Sequence, residues 1–246
     1  MGRSTTLSFD HDDRRRIYEF VERQGRASTD EIRDATSIDP RGLRHHVAIL
    51  KRDGHLVEAD DGSLEVAFGQ GATEEHRSSA CSFAIRPATQ ADLSGLVGAI
   101  RRVATEEPDI VAETVADLID REEVLLRHNE VESRMFFVAT IDEEVVGWAH
   151  LRAPELEKLA HTAKLTVGVL PEYRRCDVGS HLLERAVNWA RDQGYEKLYN
   201  SVPATNEGAI DFLAERGWDT EAVREDHYRI DDEYVDEVMM ATWLRD

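Results

Sequence analysis

The amino-acid sequence predicts an α/β (α+β) fold with a mixed central sheet, preceded by a small domain of three helices and a β-hairpin. Residues 10–68 contain three short helical patterns followed by two short strand patterns. Residues 69–82 have low hydrophobicity, and strand and helix patterns alternate from Phe83 onward. We therefore divide the chain into a first domain over residues 1–68, a linker over residues 69–82 and a second domain over residues 83–246.

The chain is acidic and poor in lysine. Its 246 residues include 50 Asp and Glu against 30 Lys and Arg, which gives a formal net charge of -20, and only four of the basic residues are lysines. An acidic surface of this kind is tolerated where dissolved salt screens its self-repulsion. We therefore expect a halophilic source, with an ordinary acidic protein as the alternative.

The sequence gives no sign of a membrane segment or of secretion. No apolar run reaches the roughly 18 to 20 residues that cross a bilayer, and the first residues lack the basic-then-apolar order of a signal peptide. The two cysteines, Cys81 and Cys176, suggest neither a disulfide framework nor a metal site. We expect a cytoplasmic protein with no membrane contact and no metal.

Helix-capping signals mark the elements of the first domain. Asp10 is predicted to cap a first helix that ends at Gly25. Ser28 and Glu31 have the spacing of a capping box at the start of a second helix. Asp39, followed by a proline, suits the start of a third helix. A hairpin is predicted around residues 60–63, after the third helix.

This order of elements resembles a winged helix-turn-helix domain. The third helix would then be the DNA-recognition helix, since no acidic residue occurs between Pro40 and Arg52. The alternative is a dimerisation or protein-docking module, and a homodimer is consistent with it. The residues predicted to contact DNA are Arg41, Arg44, His45, Lys51 and Arg52, with His46 as a further outward-facing candidate.

Strands and helices alternate in the second domain. A strand over residues 83–87 precedes two helices, and a hairpin turns around residues 142–144. A strand ending at Leu170 should pair next, followed by a loop and a long helix. A fifth strand over residues 197–202, a short helix and a final pair of strands over residues 228–230 and 238–244 complete the domain.

Residues 165–190 form the clearest single pattern. A β-branched apolar run ends at Pro171, a short basic loop follows, and apolar residues then recur at helical spacing. The first N–H groups of a helix lack intrahelical partners and carry the positive end of the helix dipole. Because Arg174, Arg175 and Gly179 lie at that point, the loop is a candidate phosphate site. An ordinary strand-to-helix connection is the alternative.

This segment resembles the signature of the GNAT (GCN5-related) acetyltransferases, Gln/Arg-x-x-Gly-x-Gly/Ala after the fourth strand. Arg174 and Gly179 match the signature, whereas Asp177 replaces its first glycine. Aspartate tolerates backbone conformations close to those of glycine, or it could turn outward and cap the helix. Residues 205–218 are similar to the family segment Asn-x-x-Ala-x-x-Phe-Tyr-x-x-x-Gly-Phe. The resemblance covers residues 82–244.

The resemblance implies that acetyl-CoA binds as a co-substrate between the fourth and fifth strands. The backbone of Val167 and Val169 would pair with the pantetheine arm, and Asn206 would reach toward the cofactor. The pyrophosphate would lie against the loop and the first helical turn. The residues implied in that contact are Arg174, Arg175, Cys176, Asp177, Val178, Gly179 and Ser180.

The catalytic residues of the family are matched only in part. Many members use a tyrosine of the last helix as the acid, where this chain has Leu213. A similar branch uses a glutamate of the fifth strand as the base, where this chain has Ser201. Tyr228 is the predicted substitute acid, and His150 and His161 are the candidate bases. A packing or surface role is the alternative for each histidine.

The sequence therefore predicts an acetyl-CoA-dependent N-acetyltransferase in which a bound amine attacks the thioester directly. The acceptor would be a protein lysine, a protein N-terminus or a small amine. A second class of function stays open, namely a DNA-binding transcription regulator whose GNAT-like domain senses acyl-CoA without turnover. The absence of the family's tyrosine and glutamate favours that second class.

Overall fold

The computed structural model describes residues 7, 9–67, 71–77, 81–107, 112–129, 131–154 and 156–245. These residues build two hydrophobic cores, one from the N-terminal part up to Val66 and one from the part that begins at Cys81. Among the helices described, none has both the length and the apolar character that a bilayer crossing requires.

The N-terminal part consists of three helices and a three-stranded sheet. The helices are α1 (Asp12–Gln24), α2 (Thr29–Thr36) and α3 (Pro40–Arg52), and the strands are β1 (Arg26–Ala27), β2 (Leu56–Glu58) and β3 (Leu64–Val66). The strand order is β1-β3-β2, with both pairs antiparallel. The predicted helices and hairpin are therefore present, and the short strand β1 is an addition that was not predicted.

The predicted helix caps are correct with one exception. Ser28 and Glu31 form the reciprocal capping box of α2, and the Asp39 side chain accepts hydrogen bonds at the start of α3. The cap of α1 is His11 rather than Asp10, because His11 Nδ1 accepts a 3.1 Å hydrogen bond from the second amide of the helix. The helix therefore begins after His11, and Asp10 stands outside it.

His46 does not face outward, as it would have to if it were to contact DNA. Its residue surface is only 9% exposed, and it lies on the inner side of α3 with Leu43 and Leu50. Residues separated by three, four or seven positions share one face of a helix, so His46 follows the apolar stripe. The position of His46 on the helix, and not the polarity of its side chain, therefore decides that it is buried.

The second part is a mixed sheet of nine strands with four helices. The strands are β4 (Glu74–Arg77), β5 (Ser82–Pro87), β6 (Arg127–His128), β7 (Glu132–Ile141), β8 (Glu144–Pro154), β9 (Thr162–Val169), β10 (Lys197–Pro203), β11 (Asp219–Ile230) and β12 (Glu233–Trp243). The helices are α4 (Leu93–Glu106), α5 (Glu113–Glu122), α6 (Val178–Asp192) and α7 (Glu207–Ala214). The strand order is β11-β12-β10-β9-β8-β7-β5-β4, with β6 paired to β7. Because β9 and β10 are parallel and their neighbours antiparallel, the predicted mixed α/β sheet is confirmed.

Part of the predicted linker over residues 69–82 belongs to this sheet. Strand β4 pairs antiparallel with β5 and forms the edge of the sheet. An edge strand carries polar residues readily, because one of its sides is not paired to a neighbour. Low hydrophobicity therefore did not distinguish this strand from a linker. Residues 69–70 and 78–80 lie outside the described residues.

Polar contacts join α1 to the second part of the chain. The Tyr18 hydroxyl donates to the His128 carbonyl at 2.8 Å, and Arg127 donates to the Glu22 carbonyl at 3.1 Å. The Asn129 amide donates to the Glu22 carboxylate at 2.8 Å. Tyr18 and Glu22 are buried, so these hydrogen bonds are shielded from water and fix α1 against β6.

Candidate functional site

The central sheet opens between β9 and β10. These strands pair only through residues 162–164 of β9 and 197–199 of β10. The rest of each strand, residues 165–169 of β9 and 200–203 of β10, is also described, and these residues are not paired with each other. The two strands therefore part toward their C-terminal ends and leave a gap in the sheet, as expected from the resemblance.

Alternate residues of β9 present their backbone to this gap. The Leu170 amide donates to the Val146 carbonyl at 2.9 Å, so even-numbered residues bond to β8 and odd-numbered residues face away from it. Val167 and Val169 therefore direct their amide and carbonyl groups into the gap. The Val169 carbonyl accepts a hydrogen bond from Arg174 Nε at 3.1 Å, which agrees with this direction.

The loop after β9 contains two non-glycine residues in the left-handed conformation. Arg175 has a φ of 67°, and Asp177 has a φ of 62°. Aspartate is among the few residues that tolerate this region, so Asp177 can occupy the place of a signature glycine. Asp177 occupies the N-cap position of α6, but its exposed side chain forms no capping hydrogen bond, so of the two alternatives the tolerated backbone conformation is the one observed.

The first turn of α6 provides amides that no helical carbonyl accepts. The first bond within the helix runs from the His181 amide to the Asp177 carbonyl at 3.1 Å. The amides of Val178, Gly179 and Ser180 precede it and therefore lack an intrahelical partner. They lie directly after the loop, at the end of the sheet where β9 and β10 part.

The packing of the protein alone does not require glycine at position 179. A Cβ there would lie 3.5 Å from Val169 and 3.7 Å from Phe212, which are ordinary van der Waals distances. By contrast, a Cβ on Gly168 would come within 2.3 Å of the Trp148 ring. Gly168 is therefore needed for packing, whereas Gly179 leaves room for a group that approaches the helix amides.

The side chains of the loop differ in their availability. Arg174 forms an ion pair with Glu107, whereas Arg175 has no ion pair with any residue of the described ranges. Cys176 is buried, and its hydrogen bond with Cys81, together with burial, raises the pKa of the Cys176 thiol. Of these three side chains, Arg175 is therefore the one that can meet an anion without first losing a partner.

Two predicted family positions have structural roles. Asn206 caps α7, because its Oδ1 accepts a hydrogen bond from the Ala209 amide at 3.0 Å. Leu213 is buried in the core at 4% exposure and has no proton to donate. Contact of Asn206 with a cofactor stays a prediction.

A buried carboxylate lies on the other side of β10. Glu237 of β12 is 4% exposed and stands opposite Pro203, the last residue of β10. The Tyr228 hydroxyl donates to Glu237 Oε1 at 3.2 Å. Arg224 Nη1 donates to Oε2 at 2.9 Å, and His227 Nε2 lies 3.6 Å from the same oxygen.

These donors keep the Glu237 carboxylate ionised. Burial alone would raise the pKa of Glu237, but the Ser201 hydrogen bond and the contacts with His227, Tyr228 and Arg224 lower it on balance. Burial and the charge of Glu237 raise the pKa of Tyr228 to about 12. At neutral pH, the pair therefore consists of a proton-accepting carboxylate and a proton-donating hydroxyl.

A bulge in β11 directs these side chains toward Glu237. Arg224 pairs with Glu237 and Tyr228 with Val235, so residues 225–227 stand opposite a single residue of β12. Asp226 within the bulge has a φ of 52°. Bulges often redirect side chains next to active sites.

Glu237 was not predicted from the sequence. Ser201 stands where the similar branch of the family has its base, and the structure brings the Glu237 carboxylate to that hydroxyl from the neighbouring strand. The last strand was expected to start only near Val238, so Glu237 fell outside it. Of the two acidic residues between Val235 and Val238, Glu237 falls on the strand face of Val235 by alternation, and this was the signal that could have identified it.

The environment of His150 argues against its predicted role as base. Its ring is 4% exposed and stacks on Phe136 at a centroid distance of 4.5 Å. Burial, followed by the charges of Arg134, Arg152 and Lys164, lowers the pKa of His150 to about 3. A ring that is buried and stacked in this way is not accessible to an acceptor ammonium ion.

His161 lies at the wrong end of the sheet for the predicted role. It is exposed, and its carbonyl accepts hydrogen bonds from the Glu196 and Lys197 amides at 2.8 and 3.1 Å. This is the end at which β9 and β10 are still paired. The gap opens at the other end, so the structure does not bring His161 to the site.

The residues predicted to contact DNA share the exposed side of α3. Lys51 forms an ion pair with Glu58, and Arg52 pairs with Asp53 at 2.8 Å. Arg41 and Arg44 have no ion pair with any residue in the described part of the chain. The full exposed set is Arg41, Arg44, His45, Lys51 and Arg52.

Part of this chain is similar in sequence to known acetyltransferases. Residues 100–218 match the Acetyltransferase (GNAT) family. A probable N-acetyltransferase of Drosophila melanogaster, san, is 28% identical over 93 residues, which are 37% of this chain and 50% of that protein. This chain thus spans about half the length of that curated relative.

Two solved structures show the same fold. A GNAT-family acetyltransferase from Streptococcus pneumoniae has a TM-score of 0.56 and 20% identity, over 65% of this chain and 99% of that one. A Salmonella typhimurium structure with its cofactor acetyl-CoA has a TM-score of 0.56 and 17% identity, over 67% of this chain and 95% of that one.

The buried state of His150 predicts a specific pH dependence of stability. Between its unperturbed pKa of 6.5 and its folded-state pKa of about 3, the unfolded chain binds a proton that the folded chain does not. Stability is therefore lost as the pH falls below 6.5, by about 2 kcal/mol between pH 7 and pH 5. We expect His150→Gln to lose correspondingly less over this range in urea unfolding experiments. His161→Gln is the control, and equal pH dependence in all three proteins would contradict the assignment.

Proposed function

We propose that this protein is an acetyl-CoA-dependent N-acetyltransferase, because residues 100–218 match the Acetyltransferase (GNAT) family. The observation that carries the proposal is the gap between β9 and β10, which has free helix amides at its loop end and a buried carboxylate beside β10. The acceptor is an amine, either on a protein or on a small molecule.

The cofactor is held mainly by backbone groups. The odd-numbered residues of β9 offer amides and carbonyls of fixed direction to the pantetheine arm, as an adjacent strand would. The unpaired amides of α6 receive the pyrophosphate, and Arg175 adds a charge-assisted contact. Asp177 opposes an anion electrostatically, but its exposed side chain leaves its charge screened by water.

Glu237 and Tyr228 together supply the proton transfers. The amine nitrogen attacks the thioester carbonyl, an N–C bond forms, the C–S bond breaks, and the thiolate requires a proton. The acceptor ammonium first loses one proton to solvent, and as the N–C bond forms Glu237 takes a second proton from the nitrogen, directly or through water. Tyr228 donates its proton to the thiolate and recovers one from Glu237. The net result is the movement of one proton from the amine to the thiol.

Acetyl-CoA binding tests the cofactor site. We expect Arg175→Glu to weaken acetyl-CoA binding in calorimetric titration by about tenfold or more, because it replaces a charge-assisted contact with repulsion. Arg121→Glu on α5 is the control, since it changes the net charge equally at an exposed residue away from the loop. Equal affinities of the two variants would exclude Arg175 from the site.

Turnover tests the proton-transfer pair. We expect Glu237→Gln to lower kcat/KM by about 10²- to 10⁴-fold in a thiol-release assay with a panel of amines, while acetyl-CoA affinity stays within about twofold. Glu233→Gln, an exposed residue of the same strand, should behave as the wild type. Full activity of Glu237→Gln would remove Glu237 from the mechanism. The assay buffer should contain molar salt.

The sensor alternative makes a different prediction for the wild type. A domain that senses acyl-CoA binds acetyl-CoA in calorimetry but releases no thiol with any amine of the panel. The Glu237–Tyr228 pair favours the enzyme, because it supplies a base and an acid that Ser201 and Leu213 at the family positions do not. Binding without turnover would favour the regulator.

We further propose that the N-terminal part is a winged helix-turn-helix domain that binds DNA. Three helices are followed by a hairpin, and α3, which contains no acidic residue, presents the exposed side chains of Arg41 and Arg44, neither of which forms an ion pair with a described residue. The N-terminal part would then bring the catalytic domain to DNA or to a DNA-associated protein. A docking or dimerisation surface remains the alternative.

Charge reversal on α3 tests this second function. In a gel-shift assay with genomic fragments, the double variant Arg41→Glu/Arg44→Glu should bind DNA at least about tenfold more weakly, because two phosphate contacts become repulsive. Arg23→Glu, an exposed residue at the end of α1, is the control. An unaltered shift of the double variant would dismiss α3 as the recognition helix.

A further inference from the structure

We propose that His11, Asp13 and His46 form a binding site for a divalent transition-metal ion such as Zn²⁺. One potential ligand atom from each residue lies within 4.8 Å of the others. His11 and Asp13 lie at the start of α1, whereas His46 lies in the middle of α3. A bound ion would therefore join two helices that are distant in sequence.

The Asp13 carboxylate uses its two oxygens differently. Oδ1 accepts a hydrogen bond from Arg16 at 3.1 Å. Oδ2 lies 3.8 Å from His11 Nδ1 and 3.7 Å from His46 Nε2, which is too long for a hydrogen bond. Ligands about 2.1 Å from one tetrahedral ion are about 3.4 Å apart, so only small movements would bring these three atoms onto a metal.

The imidazole of His46 has an unusual environment for a buried polar ring. The residue is 9% exposed, and its buried Nδ1 has no hydrogen-bond partner among the described residues. Its Nε2 faces Asp13 Oδ2, and its ring centroid lies 4.6 Å from that of His11. Buried polar groups normally have partners because an unpaired one costs stability. A metal bond at Nε2 would leave Nδ1 as it is, but it would give this buried ring one strong polar partner on the side that faces Asp13.

The ligand set suits zinc and its neighbours in the first transition series. Two imidazoles and one carboxylate leave at least one coordination position for water. The nearby guanidinium groups are each paired with an acid, Arg14 with Asp10 at 3.7 Å and Arg16 with Asp13 at 3.1 Å. Ligation through His11 Nδ1 would exchange its hydrogen bond with the Asp13 amide for a bond to the metal.

The position of the site gives it a structural consequence. Helix α3 carries Arg41 and Arg44 on its outer side and His46 on its inner side. A metal bond from α1 to His46 would restrain the orientation of α3, and with it the position of these arginines.

Zn²⁺ titration of the full chain tests the site. After treatment with a chelator, the wild type should bind Zn²⁺ saturably at a single site in calorimetry. His11→Gln and Asp13→Asn should each weaken binding by at least about tenfold. Both side chains are partly exposed, at 51% and 28%, so these variants should keep the fold. His45→Gln, an exposed neighbour on α3, is the matched control and should bind as the wild type.

Two results would overturn the proposal. One is the absence of saturable binding by the wild type up to about 1 mM Zn²⁺, which is weaker than a three-ligand site allows. The other is an equal loss of affinity in His45→Gln and His11→Gln, which would assign binding to surface histidines in general. The expected result also includes a Zn²⁺-dependent rise in Tm for the wild type that His11→Gln lacks.

Discussion

The parting of β9 from β10 is the constraint on which the rest of the second domain depends. In a sheet, each backbone amide and carbonyl is expected to have a partner. The odd-numbered residues of β9 lose theirs once β10 turns away after three pairs. Their groups must be satisfied by water or by a ligand that behaves like a strand. An extended ligand with amides of its own, such as a pantetheine arm, meets that need without any change in the protein.

The elements on both sides of the gap are consistent with this geometry. On one side, β9 leads into a loop whose two left-handed residues direct the chain into α6, so that the first helical amides lie at the end of the gap. On the other side, β12 pairs along all of β10 and brings Glu237 to its last residue. The bulge in β11 then supplies Tyr228 and Arg224. In the proposed mechanism, backbone groups of β9 and α6 bind the cofactor, and side chains of the last two strands transfer protons.

Much of the fold could be predicted because it depends on local patterns. The capping box at Ser28, the cap at Asp39 and the order of strands follow from short-range signals that the structure retains. The edge strand β4 could not be predicted, because an edge position removes the apolar pattern that marks a strand. The prediction that His46 faces outward was wrong, because this polar residue occupies a position on the buried face of α3.

The site was predictable only where it is built from contiguous sequence. The loop and the first turn of α6 follow one another, so residues 174–180 could be identified together. Glu237 and Tyr228 meet through strand pairing and a bulge, neither of which a single sequence reveals. Likewise, His11 and His46 come together only through the packing of α1 against α3. The histidines His150 and His161 had the right chemistry, but burial and register exclude them.

Hydrogen exchange of the β9 amides would test the central claim most directly. On saturation with acetyl-CoA, the amides of Val167 and Val169 should exchange more slowly by about tenfold or more, because they gain a partner in the gap. The Gly168 amide, which faces β8, should change little. Unchanged exchange at Val167 and Val169 in protein that has bound acetyl-CoA would contradict the account, since the cofactor would then lie elsewhere.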